Sequence, residues 1–130
     1  MTVDICQFTI AFAHAFKHLS SITDVMTILL FATPSGIGQI LVGTNAHSND
    51  ELSIHMAKAN DLWFHTLNQG AHVVLQGSID KLDIDKAAEL ASMYSKCKKE
   101  TVSYCYASQV SKSKYMRAGQ VIVTGPMITL

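Results

Sequence analysis

The stretch NDLWFHTLNQGAHVVLQG, residues 60–77, constrains the fold more than any other part of the chain. Two runs of apolar and aromatic residues flank a polar Leu67-Asn68-Gln69-Gly70 turn, the pattern of a β-hairpin. With a four-residue loop, Thr66 opposes Ala71 and the register follows from there. Phe64 then meets Val73 and Leu62 meets Leu75 on one face, an apolar set that must look into a core. Trp63 meets Val74 and His65 meets His72 on the other. Directly opposed residues have Cβ atoms roughly 4.5–5.5 Å apart, so the two imidazoles touch.

That second face carries the only tryptophan and two of the six histidines. Three readings are open from the residues alone. The imidazoles can share a zinc ion, provided that Cys97, Cys105 or His47 folds in to complete a set of three or four ligands. They can serve acid–base catalysis, since histidine titrates near neutrality, although no serine, cysteine or carboxylate stands at a spacing that implies a nucleophile. Or they are hydrogen-bonded within a packed face.

The rest of the chain reads as an α+β domain with a mixed or antiparallel sheet and two packed helices. Residues 1–31 suggest a helical extension, because Ile5, Phe8, Phe12, Ala15, Leu19, Ile22 and Met26 alternate steps of three and four. Such a stripe suits packing on the domain or on a second copy, as a homodimer. Pro34, Gly36 and Gly38 end any helix, and a strand follows over Gln39–Val42. The tetrapeptide SNDE reads as a capping box from Ser48 to Glu51, opening a helix from Asn49 to about Lys58. A second helix is expected near Ile84 to Lys98, with Ala87, Leu90, Tyr94 and Cys97 buried and Asp83 or Asp85 at its start. TVSYCYAS alternates as a strand, VSKSKYMRAG is a basic loop, and QVIVTGPMITL gives two short strands broken at Gly125-Pro126.

A chain of 130 residues makes one domain with a real core. Its net charge is zero, but unevenly spread: four basic and nine acidic residues precede Lys96, whereas six basic residues and only Glu100 follow from there. A basic C-terminal third is the pattern to weigh for phosphate partners. Three cysteines without CxxC spacing argue against a disulfide framework and for a reducing cytoplasm. The apolar run from Ile5 to Phe16 lacks a positive leader and carries Asp4, unlike a signal peptide. No run reaches the ~20 apolar residues of a membrane span.

ILVGTNAHSNDEL, followed by ANDLWFHTLNQGAHVVL, resembles the NFACT-R domain, the RNA-binding module of ribosome quality-control factors. The likeness continues through AAELASMYSKCKKETVSYCY and into VSKSKYMRAGQVIVTGPMITL, so that it covers about residues 32–130. Gly43, Asn45, Asn49 and Asp50 fall on the first motif of that family. Asp61, Trp63, Phe64, His65 and His72 fall on the second, Ser95 and Lys96 on the third, and Lys112, Lys114 and Gly119 on the last. The chain departs from the pattern at Thr44, where the family has arginine, at Ala71 in place of serine, and at Ala118 in place of the proline before Gly119. Its hairpin loop is also a residue shorter and lacks the family's proline.

The resemblance implies recognition of tRNA or ribosomal RNA on a stalled large subunit; the family's further domains do not fit in 130 residues, so the expectation is a stand-alone, non-catalytic module without metal or cofactor. Under it, Lys96, Lys98, Lys112, Lys114 and Arg117 contact phosphates, and Trp63, His65 and His72 either stack on unpaired bases or lock the Asn45–Asn49–Asp50 helix start from beneath. A protein-interaction or assembly module that has lost RNA affinity is the alternative, which Thr44 and the zero net charge would permit.

Overall fold

The computed structural model describes the backbone of residues 7–11 and all of residues 27–66, 70–95 and 101–130. Among these residues the fold is built on a seven-stranded antiparallel sheet. Its strands are β1 (Gln7–Ala11), β2 (Thr27–Ala32), β3 (Gln39–Gly43), β4 (Leu62–Thr66), β5 (Val73–Gln76), β6 (Val102–Tyr106) and β9 (Ile128–Thr129). They lie in the order β1-β2-β3-β5-β4-β6-β9, while β7 (Val110–Ser111) and β8 (Ile122–Val123) form a separate ribbon. Leu62 pairs with Leu75, Trp63 with Val74 and Phe64 with Val73, the register expected of the hairpin.

Helices cover both faces of the sheet. Helix α1 (Ala46–Asp50) runs into a π-helical turn over Glu51–Met56, in which the Ala57 amide reaches back to the Leu52 carbonyl at 2.9 Å. Helix α2 is Lys81–Met93. Phe31, Ile40, Val42, Phe64, Val73 and Leu75 pack against Ala87, Leu90 and Ala91 of α2. On the opposite face Ile28, Leu41, Trp63, Val74 and Cys105 surround Leu52 of the π-turn, with Val121, Val123 and Met127 of the C-terminal segment against them. Strand alternation assigns each side chain to its layer.

The helical reading of residues 1–31 fails wherever those residues are described: Gln7–Ala11 and Thr27–Ala32 are strands. Residues 1–6 and 12–26, with most of the proposed stripe and any dimer contact through it, lie outside the described residues. The run TILLFA fits a helical stripe and a strand equally well by pattern, and pairing decides: β2 bonds β1 on one side and β3 on the other. Residues 27–31 thus belong to the sheet rather than to an extension.

Both helices also start earlier than expected. Asn45, extended at φ −149° and ψ 177°, is the cap of α1, its Oδ1 accepting from the Ser48 amide while Ser48 Oγ accepts from the Asn45 amide. Ser48 therefore closes the box from inside the helix and is not its cap. Asp80 caps α2 by accepting from the Leu82 amide at 2.9 Å. Asp83 instead turns inward, where Ser35 and Ser78 donate their hydroxyls to Oδ2 and the Ser35 amide donates to Oδ1 at 2.9 Å. This joins the β2–β3 turn to the head of α2.

Because Ile28, Leu29 and Phe31 are buried on β2, a chain beginning at Ala32 loses core from both layers, and deleting even one buried phenylalanine costs roughly 3–5 kcal/mol. We expect such a chain to lose cooperative urea unfolding followed by circular dichroism. A sharp transition near that of the intact protein would show that β2 is dispensable.

Candidate nucleic-acid interface

The polar face of the hairpin is a closed cluster. Trp63 and His65, two apart on β4, stack at 5.4 Å between ring centroids with an interplanar angle of 14°. The His72 ring meets both edge-on, at 5.1 Å from Trp63 and 5.0 Å from His65. Ser53, from the π-turn, sits over them: Trp63 Nε1 donates to Ser53 Oγ at 2.8 Å, and Ser53 Oγ lies 2.7 Å from His72 Nδ1. The indole can only donate. Ser53 Oγ therefore accepts from Trp63, and a second hydrogen bond joins it to Nδ1 of a neutral His72, with the ring tautomer setting which of the two donates.

Burial holds His72 neutral and lowers its pKa to about 3, with the nearby His65 and Lys112 adding positive charge against a proton. An unfolded histidine titrates near 6.5, so the unfolded chain takes up a proton that the folded chain refuses. The stabilisation from keeping His72 neutral is accordingly complete above about pH 6.5 and fades as the pH falls from there toward 3.

The same cluster fixes the start of α1. The His72 amide donates to Asn49 Oδ1 at 3.1 Å, and its carbonyl accepts from the Gly43 amide at 2.9 Å. A Cβ on Gly43 would lie 2.1 Å from Asn49 Oδ1, so the Asn49 side chain occupies space that only glycine leaves. Asp50 faces the other way, toward the C-terminal loop. Its Oδ1 accepts from the Gly119 amide at 3.0 Å, and its Oδ2 lies 3.3 Å from Lys112 Nζ. Lys112 Nζ also donates to the carbonyls of Arg117 and Gln120. Gly119 has φ +85° and would carry any Cβ 3.2 Å from that of Ala46, so this turn requires glycine on both counts.

Between these elements, at the open end of the sheet, lies a groove of about 960 Å³. Thr44, Asn45 and Ala46 form one wall and the loop Arg117–Val121 another, while Trp63, His65, Thr66 and His72 come from the hairpin and Val123 and Met127 from the C-terminal segment. Arg117 is exposed on the rim. Its amide is held by Gln120 Oε1 at 3.2 Å and its carbonyl by Lys112, while its guanidinium makes no ion pair among the described residues. Lys114 Nζ stands 5.1 Å from the ring centroid of Tyr115, whose side chain is 84% exposed.

The structure thus divides the residues singled out in the sequence. Asn49, Trp63 and His72 are buried, so none of them offers a face on which a base can stack. They and Asp50 secure the fold beneath the groove. Lys112 is a clamp within its own loop rather than a cation extended toward solvent. Asn45, His65 and Arg117 line the groove, Lys114 stands on the adjoining loop, and Lys96 and Lys98 lie outside the described residues. Sequence reading overlooked Ser53, one turn after Asn49 on the inward side of the helix, and Thr66. No group of three or more histidine, cysteine and acidic side chains poised for a metal occurs among the described residues.

Comparison with known proteins agrees with this architecture. The family described as the NFACT protein RNA binding domain matches residues 26–125. The chain belongs to the NFACT RNA-binding domain family. The match takes in β2 and ends at the turn before β9. Among curated relatives, the Rqc2 homolog RqcH of Streptococcus suis is 48% identical over 62 residues, 45% of this chain and 11% of the relative. Its counterpart in Bacillus subtilis is 34% identical over 96 residues, 70% of this chain and 17% of the relative. The chain therefore spans less than a fifth of the length of these relatives. A solved structure of the C-terminal part of the fibronectin/fibrinogen-binding protein from Streptococcus suis superposes with a TM-score of 0.72 at 34% identity, covering 78% of this chain and 43% of that one.

If Lys112 is a clamp, Lys112→Ala leaves Asp50 and two carbonyls without their shared donor. We expect a stability loss of about 1–3 kcal/mol and faster hydrogen exchange at the Gly119 amide. Unchanged exchange there would return Lys112 to the class of solvated surface lysines.

Proposed function

We propose that this NFACT RNA-binding domain acts without catalysis, binding structured RNA at the groove and the loop that borders it. The observation that carries the reading is Arg117: a guanidinium with no ion pair among the described residues, on a backbone held at both its amide and its carbonyl. The held backbone fixes where the side chain starts, so a phosphate has only the side chain's own rotamers to order. Lys114 and the exposed Tyr115 beside it add a second cation and an aromatic surface. In the setting that the family and the RqcH relatives suggest, the RNA is tRNA or ribosomal RNA on a stalled large ribosomal subunit, met in the cytoplasm. Among the described residues no helix is long and apolar enough to cross a membrane.

Thr44 marks the weak point of this surface. It is exposed on the groove wall, its amide donating to Ser48 Oγ and its hydroxyl to the Thr27 carbonyl at 2.8 Å. The backbone is thus already placed for the arginine that the family carries there. With that cation absent, we expect tRNA affinity in the micromolar range.

Phosphate contacts release counterions, so affinity falls with salt by a slope of about −0.7 per contact for single strands. Thr44→Arg should tighten tRNA binding and steepen this slope by roughly one contact, and Arg117→Gln should flatten it by as much. Fluorescence anisotropy across a salt series reads both. Absence of binding to tRNA and to ribosomal RNA by the wild-type chain and the Thr44→Arg variant alike would overturn the RNA reading in favour of a protein-docking module.

A further inference from the structure

An acidic side chain is out of place beside a loop that meets phosphates, yet the loop carrying Arg117 is tied to one. Asp50 ends α1, its Oδ1 accepting from the Gly119 amide at 3.0 Å and its Oδ2 lying 3.3 Å from Lys112 Nζ. On its own this carboxylate would repel an RNA backbone. Lys112, for its part, has nothing to spare for a phosphate. An ammonium carries three donors, and three acceptors surround Nζ: Asp50 Oδ2 and the carbonyls of Arg117 and Gln120. Neither Asp50 nor Lys112 lines the groove.

What the pair holds is the turn that presents Arg117. The Gln120 amide donates to the Arg117 carbonyl at 3.1 Å, closing a tight turn, and Gln120 Oε1 accepts from the Arg117 amide at 3.2 Å. Asp50 and Lys112 fasten this turn to α1, one at its Gly119 amide and the other at its two end carbonyls. The preceding turn, with Lys114 and Tyr115, is closed by bonds of its own. There the Met116 amide donates to the Ser113 carbonyl at 3.1 Å, and the Tyr115 amide to Ser113 Oγ at 3.3 Å. The clamp therefore bears on Arg117 rather than on that second cation.

We propose that Asp50 and Lys112 are a positioning pair for RNA binding. Neither touches RNA; together they hold the Arg117 turn in place, so two residues of opposite charge raise affinity in the same sense. This rests on the RNA-binding reading above and adds to it the support on which its cation depends.

The test is fluorescence anisotropy of the intact chain with a labelled tRNA, across a salt series, at a temperature where circular dichroism shows each variant folded. Charge alone predicts opposite effects. Asp50→Asn, which removes a negative charge, would tighten binding, whereas Lys112→Met would weaken it and flatten the salt slope by roughly one contact. A positioning pair predicts that both variants bind about two- to tenfold more weakly, because the turn must then be ordered on binding, and that the slope is unchanged. The double variant should bind no more weakly than the worse single one. In an Arg117→Gln background either change should have no further effect, an outcome that a general loss of stability does not produce. Asp50→Asn is the milder change, because its amide oxygen can still accept from Gly119, and its sign decides alone if Lys112→Met does not fold. Tighter binding by Asp50→Asn, a flattened slope in Lys112→Met, or an undiminished loss in the Arg117→Gln background would overturn the inference and leave RNA binding in place. Absence of tRNA binding by the wild type would instead remove the RNA reading itself, and this inference with it.

Discussion

The structure depends on one hydroxyl. Ser53 Oγ accepts a hydrogen bond from the Trp63 indole and meets His72 Nδ1, and through this contact the π-turn after α1 is fastened to the outer face of the β4–β5 hairpin. Every other feature of the groove is placed relative to it. His72 holds Asn49 through its backbone, Asn49 fills the space above Gly43, and Asp50, next in sequence, reaches the C-terminal loop. Buried polar networks are costly when partly satisfied and specific when complete, and this one is complete. A one-residue slip of the hairpin would turn Trp63 and His72 away from Ser53 and present Phe64 in their place.

The loop beyond this anchor shows how a charge can be structural. Lys112 and Asp50 are both largely buried, at 19% and 21% side-chain exposure, and their pairing is joined by two carbonyls and the Gly119 amide. The loop is thereby ordered without a hydrophobic core of its own. What it presents outward, Lys114, Tyr115 and Arg117, is the part with chemistry left over for a partner.

How much of this could be read in the sequence varied with the kind of information each residue carries. The hairpin register was legible because a period of two and a turn act on the same stretch, and the apolar and polar faces followed from it. Strand β2 was not, since four consecutive apolar residues, Ile28–Phe31, satisfy either periodicity until their pairing partners are known. The helix start was displaced by one turn because Asn45 and Ser48 are both good caps, and only the extended backbone at Asn45 separates them. The pairing of Lys112 was not legible because sequence records a charge but not its partner, and Asp50 lies far away along the chain.

The central claim is that His72 is a buried neutral lock and not a surface for ligands. The imidazole nitrogen chemical shifts of His72, followed by NMR between about pH 8 and pH 5, test it most directly, because an ordinary histidine titrates within that interval. The account predicts a neutral ring whose shifts stay constant throughout. Titration of His72 near pH 6.5 would contradict it.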